Sequence, residues 1–351
     1  MRVGIRIGIG VCLVAFVAAA AKLSAQRSTS PAPASAADAT ARIVASAQAF
    51  VATLDEAGRT KVQLPFDSPK KSGWSNLPVG MVPREGVRLG DLSPAQREAA
   101  MALLSTAFSQ DGYRKVVEIV RADETLRETS RGGRGGTGGG GPRFGQDEYY
   151  LAFFGAPSAS APWMLQFGGH HLGINLTLAG RQATLAPSLT GAQPASYSLE
   201  GRTIRPLGKE NDRAFALMAS LDAAQREKAI LGSSVSDLVL GAGKDGRTIQ
   251  PEGLRVSALS PAQQKTLLEI VREWAGIAND ALAAPRIEEI RTRLPETYFA
   301  WSGPTTEGSA AYFRIQGPTL VIEYAPQRSV DHIHAIYRDP TNDYGASYAR
   351  K

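Results

Sequence analysis

The segment Gly86-Val-Arg-Leu-Gly-Asp-Leu-Ser-Pro-Ala-Gln96 returns later in the chain as Gly253-Leu-Arg-Val-Ser-Ala-Leu-Ser-Pro-Ala-Gln263. Both copies read as helix starts. Ser93 and Ser260 are N-caps, Pro94 and Pro261 take the first helical position, and Gln96 and Gln263 close a capping box. A related cap stands 38 residues upstream of each, at Asp55 and at Asp222. The helices that follow share one apolar register, with Leu103, Leu104 and Ala107 in the places of Ile270, Val271 and Trp274. Downstream, Tyr150-Leu-Ala-Phe-Phe-Gly155 matches Tyr298-Phe-Ala-Trp-Ser-Gly303, and the 19 extra residues of the first copy are accounted for by a glycine-rich insertion.

A chain so repeated is predicted to be α+β and internally duplicated, with two halves, 40–200 and 207–351. Each half carries capped helices followed by a small antiparallel sheet, and the two pack as one domain, 39–351, about a pseudo-twofold axis. The insertion, Arg131 to Gly141, has nothing to bury and is expected to be a disordered surface loop. It is not a phosphate-binding loop, because no strand leads into it and no Gly-Lys-Ser/Thr ends it.

Residues 1–25 read as a secretory signal peptide. Arg2 and Arg6 precede an apolar run, Ile7 to Ala21, and small residues follow at Ser24-Ala25. Residues 26–38 are rich in Ser, Ala and Pro and read as a flexible leader. The mature chain is therefore expected in a bacterial periplasm or outside the cell, without a stable membrane anchor. The single cysteine, Cys12, lies in the signal, so disulfides, thiolate nucleophiles and cysteine-type zinc sites are ruled out for the mature protein. The formal charge is +6. Three of those basic residues belong to the signal, leaving about +3, too little to point to a nucleic-acid partner.

All four histidines of the chain fall in two tight pairs, His170-His171 and His332-x-His334. Aligning the copies at Gly169 and Gly317 places Met164 to Asn175 on Tyr312 to Glu323, both read as strands. His170 and His171 then face Pro318 and Thr319, so the scaffold itself does not require the histidines. Strand alternation gives His170 to the core and His171 to the exposed face. In His332-x-His334 both rings share one face, the spacing by which one strand offers two imidazoles to a metal.

Trp74 with its following Leu-Pro, the GVRLGDLSPAQR segment, GGHHLGIN and HIHAIYRDPTNDYG together resemble the domain-of-unknown-function 3500 family. These motifs span almost the whole mature chain. The resemblance implies an exported or extracellular one-domain protein, and it carries no established activity.

Chemistry must come from the residues. A histidine on a half-apolar strand is most often a hydrogen-bonded packing residue, but two pairs among only four histidines favour a shared task. His171, His332 and His334 are expected to bind one divalent metal ion, zinc or copper, with His170 as the alternative ligand. Glu323, Asp331 and Asp339 are the nearest carboxylates for a fourth ligand, a ring-orienting partner or a general base. Arg338 either presents its guanidinium to an anionic ligand or ties down the C-terminal turns, pairing with Asp339. These assignments fit a metal-dependent hydrolase, with Glu323, Asp331 and Arg338 as its catalytic groups. The alternative is a non-catalytic protein that binds metal or a small anion. Trp163, Trp274 and Trp301 read as core residues.

Overall fold

The capping boxes form as the spacing predicts. Ser93 and Ser260 each accept from the backbone N–H three residues on, and Gln96 and Gln263 return the bond to the cap. The computed structural model describes Met1, residues 35–131 and residues 142–349. The expected signal peptide beyond Met1, the expected leader up to residue 34 and the glycine-rich stretch after Arg131 lie outside the described residues. Residues 35–38, expected as leader, are instead the start of a helix, because Ser35 and Asp38 make a capping box of their own. A Ser/Ala/Pro bias had masked that local pattern.

The helices are α1 (Ala36–Ala52), α2 (Glu56–Val62), α3 (Pro94–Ala107), α4 (Gln110–Arg131), α5 (Gly208–Ser220), α6 (Ala223–Ala229), α7 (Pro261–Ala275) and α8 (Asp280–Arg293). The strands are β1 (Gln63–Leu64), β2 (Val87–Arg88), β3 (Tyr150–Phe154), β4 (Trp163–Gly169), β5 (Leu172–Ala179), β6 (Gln182–Thr184) and β7 (Ser188–Ala192). After them come β8 (Tyr197–Leu199), β9 (Arg202–Ile204), β10 (Leu254–Arg255), β11 (Tyr298–Ser302), β12 (Tyr312–Gly317), β13 (Leu320–Pro326) and β14 (Ile333–Arg338).

The architecture is α+β, with a mixed sheet. Twelve strands run in the order β1-β3-β4-β5-β7-β14-β13-β12-β11-β10, with β2 and β6 pairing beside this path, while β8 and β9 form a separate ribbon. Only β1 and β3 pair in parallel among the described strands. Two small sheets, one in each half, were expected; their strands are instead joined into one, because β7 and β14 pair antiparallel from Ile333 opposite Ala192 to Tyr337 opposite Ser188. Neither strand is left as an open edge with unpaired backbone groups.

The two faces of the sheet are covered differently. One packs on the helices, in a core that holds Leu103, Leu104, Ile270, Val271, Trp163, Trp274 and Trp301, all fully buried. The other face is covered by irregular chain, with Trp74 and Tyr344 packed on Phe154, Met164, Leu189 and Ile336. Trp74 packs close on the sheet there because Gly173 has no side chain: a Cβ would stand 2.6 Å from the indole. Its Nε1 donates to the Tyr344 hydroxyl at 2.7 Å.

The caps should contribute measurably on their own. Ser93→Ala and Ser260→Ala are each expected to lower stability by about 1 kcal/mol in urea unfolding, with the m-value unchanged.

Candidate metal centre

β4 and β5 are the two arms of a hairpin whose last pair is Gly169 opposite Leu172, which leaves His170-His171 as a two-residue turn. A single strand was expected from Met164 to Asn175. The chain turns instead, with His171 at φ 59°, a left-handed conformation that histidine takes more readily than bulky or β-branched residues. The alignment partner, Tyr312 to Glu323, is likewise a hairpin, closed by Gly317 opposite Leu320. In a turn the strict alternation of a strand does not hold. The expected division into a core and an exposed histidine therefore fails: His170 is 4% exposed and His171 only 1%.

The turn delivers His171 to the other histidine pair. His171 Nε2 lies 2.8 Å from His332 Nε2, which lies 3.1 Å from His334 Nε2. One ligating nitrogen from each of the three rings falls within 4.8 Å of the others. His332 precedes β14 and His334 is its second residue, opposite Gly191 of β7. Gly191 makes the room. A Cβ there would stand 2.6 Å from the Ile333 carbonyl oxygen and 3.2 Å from the His171 ring.

Three imidazole nitrogens packed this way cannot satisfy one another. Each in-plane nitrogen has either one proton or one lone pair, so the two contacts of His332 Nε2 must share a single proton or a single lone pair. His171 Nδ1 is buried and has no hydrogen-bond partner, a loss of about 1–3 kcal/mol for an orphaned polar group. A metal ion accepts three lone pairs at once. For metal–nitrogen bonds of about 2.0–2.1 Å in a tetrahedron the nitrogen–nitrogen edge is about 3.3 Å, close to the two separations seen. The residues present thus fit a transition-metal ion.

The surroundings prepare the rings for that task. Asp237 Oδ1 stands 3.2 Å from His334 Nδ1. Burial opposes ionisation of Asp237, but the bonds from His334, the Leu238 N–H and Gln327 hold its carboxyl below the usual value. An ionised carboxylate only accepts, so His334 carries its proton on Nδ1 and turns the Nε2 lone pair to the cluster. Asn76 accepts from the His171 N–H at 3.3 Å, and its side-chain nitrogen lies 3.4 Å from His334 Nε2. Arg84 pins this segment, donating to the carbonyls of Ser75 at 2.8 Å, Leu77 at 2.7 Å and Gly169 at 3.3 Å. Burial pulls its guanidinium down to about 10.

His170 takes another path. Its Nδ1 is 2.6 Å from Asp123 Oδ1 on α4, and its ring packs on that of His171 with centroids 3.7 Å apart. It braces the triad from behind.

The other groups expected at the site hold the irregular chain in place. Glu323 accepts from the N–H groups of Val239 and Leu240, at 2.9 and 2.7 Å, and from the Tyr312 hydroxyl at 2.7 Å. Arg338 donates to the carbonyls of Leu240 and Gly241, and to Asp245 and Asp343. Its acidic partner among the C-terminal turns is therefore Asp343, not Asp339, which pairs with Arg286 at 3.2 Å. Asp331 accepts from the Ala195 N–H at 3.0 Å. Glu323 and Arg338 together clamp the loop between α6 and β10, and that loop carries Asp237 to His334.

Asp237, Asn76, Gly191 and Asp123 escaped sequence reasoning. None stands in a motif, and each reaches the histidines only through tertiary contact.

An α+β protein with a buried three-histidine cluster able to hold a metal ion is thus the class that fold and site define. The chain belongs to the family described as protein of unknown function (DUF3500), whose model matches residues 36–346. No curated protein and no solved structure matches it.

The cluster makes acid stability a test of its geometry. Burial, then the neighbouring rings, pushes His332 down to about 4 and holds His171 well below the ordinary imidazole value of 6.5. A folded-state value below the unfolded one means that the stability from neutral rings is complete above pH 6.5 and is lost as the pH falls toward 4. In EDTA, the melting temperature should fall over that window, and His332→Gln should flatten the fall.

Proposed function

We propose that this is an exported protein that binds one zinc or copper ion through His171, His332 and His334. The observation that carries this reading is the close approach of three imidazoles, whose ligating nitrogens lie within 4.8 Å of one another, with His332 Nε2 at 2.8 Å from His171 Nε2 and at 3.1 Å from His334 Nε2. Neutral imidazoles without a carboxylate among them suit zinc or copper rather than magnesium or calcium. Export rests on the N-terminal sequence; no described helix is long and apolar enough to cross a membrane.

Hydrolysis and binding remain distinct readings of the same centre. A three-histidine zinc ion with a free position lowers the pKa of bound water, which is the chemistry a hydrolase would use. That reaction also needs a base, and Glu323 and Asp331 are engaged with backbone N–H groups. Asp237 is bonded to His334, Leu238 and Gln327. The engagement of these carboxylates favours a binding role over hydrolysis.

We read the chain, in addition, as two copies of one unit. The matched caps at Ser93 and Ser260 and the matched hairpins β4–β5 and β12–β13 support that reading. In it, the first hairpin turn acquired His170 and His171 where the second has Pro318 and Thr319.

Protein purified without chelator is expected to carry about one zinc or copper ion per chain by elemental analysis. His171→Ala and His334→Ala should each lose it while keeping the parent circular dichroism. Metal content that survives both substitutions would show the histidines to be packing residues.

A further inference from the structure

Away from the histidines, a cavity of about 380 Å³ opens among α4, α5 and α7, within the size range of small-molecule sites. One wall is fixed by a joint between the two parts of the chain. The Ser109 N–H donates to the Ile277 carbonyl at 3.0 Å, and the Asn279 N–H to the Ala107 carbonyl at 2.9 Å. Gly112 lets α4 begin this close, since a Cβ there would stand 2.3 Å from the Ile277 carbonyl oxygen.

The buried part of the lining is ionic. Lys115 donates all three of its protons: to Glu210 Oε1 at 2.5 Å, to the Glu273 carbonyl at 2.7 Å and to Glu273 Oε2 at 3.2 Å. Glu273 is paired with Arg213 as well. Glu210 is fully buried, and its Oε2 has no hydrogen-bond partner. Burial raises the Glu210 carboxyl against the pull of Lys115, so its ionised form gains from a further donor. Lys115 has no proton left to give it.

The other charges of the lining are nearly all matched. Asp111 pairs with Arg114 at 2.9 Å and with Lys209 at 3.0 Å, Arg114 also reaches Glu118 at 3.8 Å, and Arg205 holds Asp212. Asp280 stands in the first turn of α8, whose N-terminal N–H groups offset its charge. Arg272 is exposed near the end of α7, and among the described residues its guanidinium has no ion pair and no hydrogen bond. The five acids and five cations of the lining cancel, as do Asp212 and Arg213 just outside it. Neither a simple anion nor a simple cation is favoured. What stands unused is one buried acceptor and one exposed cation.

We propose that this cavity binds a small zwitterion, a free amino acid, with its ammonium on Glu210 Oε2 and its carboxylate on Arg272. The ammonium supplies the donor that the buried carboxylate lacks, and the guanidinium offers the planar fork that suits a carboxylate. No residue of the lining touches the histidine triad, so the inference stands apart from the metal reading.

Isothermal titration of the full chain with glycine, L-alanine and L-glutamate tests this, with acetate and ethylamine as half-ligands that carry only one of the two charges. At least one amino acid should bind saturably, about one per chain, and the half-ligands about tenfold more weakly or worse. Arg272→Gln, at an exposed position, should weaken amino-acid binding about tenfold, and Arg272→Lys should recover part of the loss. Glu210→Gln should weaken it at least as much. Circular dichroism shows whether that variant keeps its fold, and the two Arg272 variants decide the matter if it does not. No saturable binding by any of the three amino acids, which leaves Glu210 Oε2 to water alone, would overturn the inference. So would half-ligands that bind as tightly as the amino acids, or an Arg272→Gln protein that binds them like the parent.

Discussion

The antiparallel pairing of β7 with β14 is the contact on which the rest of this molecule depends. It joins the strands of the N-terminal and C-terminal parts into one sheet, and it sets Gly191 opposite His334. A one-residue slip would turn His334 to the helical face and put a side chain where His171 lies. Register is held against such a slip by burial on both faces, with Ile333, Ala335 and Tyr337 in the helix-packed core and Leu189 and Ile336 under Trp74. The same pairing that closes the sheet thus brings together two histidine pairs that are 161 residues apart in sequence.

A second layer of organisation comes from charges placed inside the irregular cover of the sheet. Glu323 accepts from two backbone N–H groups of the loop after α6, and Arg338 donates to two of its carbonyls. A loop of that length has many open backbone groups, and a buried charge that satisfies several at once fixes it more firmly than apolar packing alone. Its anchoring brings Asp237 onto His334. Arg84 does the same for the segment holding Asn76. These residues act on the centre through backbone geometry, since Glu323 and Arg338 hold the loop that carries Asp237.

Much of the fold was legible because it is written in local bonds. The capping boxes at Ser93 and Ser260 join residues three apart, and the apolar positions of α3 and α7 repeat at helical spacing; both arise before any tertiary contact. The proximity of His332 and His334 is equally local. The hairpin at His170-His171 was also local but was misread, since a run of apolar residues on either side of Gly-Gly-His-His has the composition of one strand as well as of two. The union of two expected sheets was invisible for a different reason. Strand pairing between distant segments leaves no mark in either segment's own pattern.

The sequence by itself determined the helix starts, the buried tryptophans and histidine as the candidate ligand type, since the chain has a single cysteine and its four imidazoles stand in two pairs. Only the tertiary structure decided which three of the four converge. It turned His170 toward Asp123 on α4 and His171 toward His332 and His334, and it supplied Asp237 from 97 residues away to set the tautomer of His334. The physical reason is range. Caps and spacings are fixed by bonds among near neighbours, whereas a metal centre is fixed by where a closed sheet and an anchored loop place side chains that the chain order keeps apart.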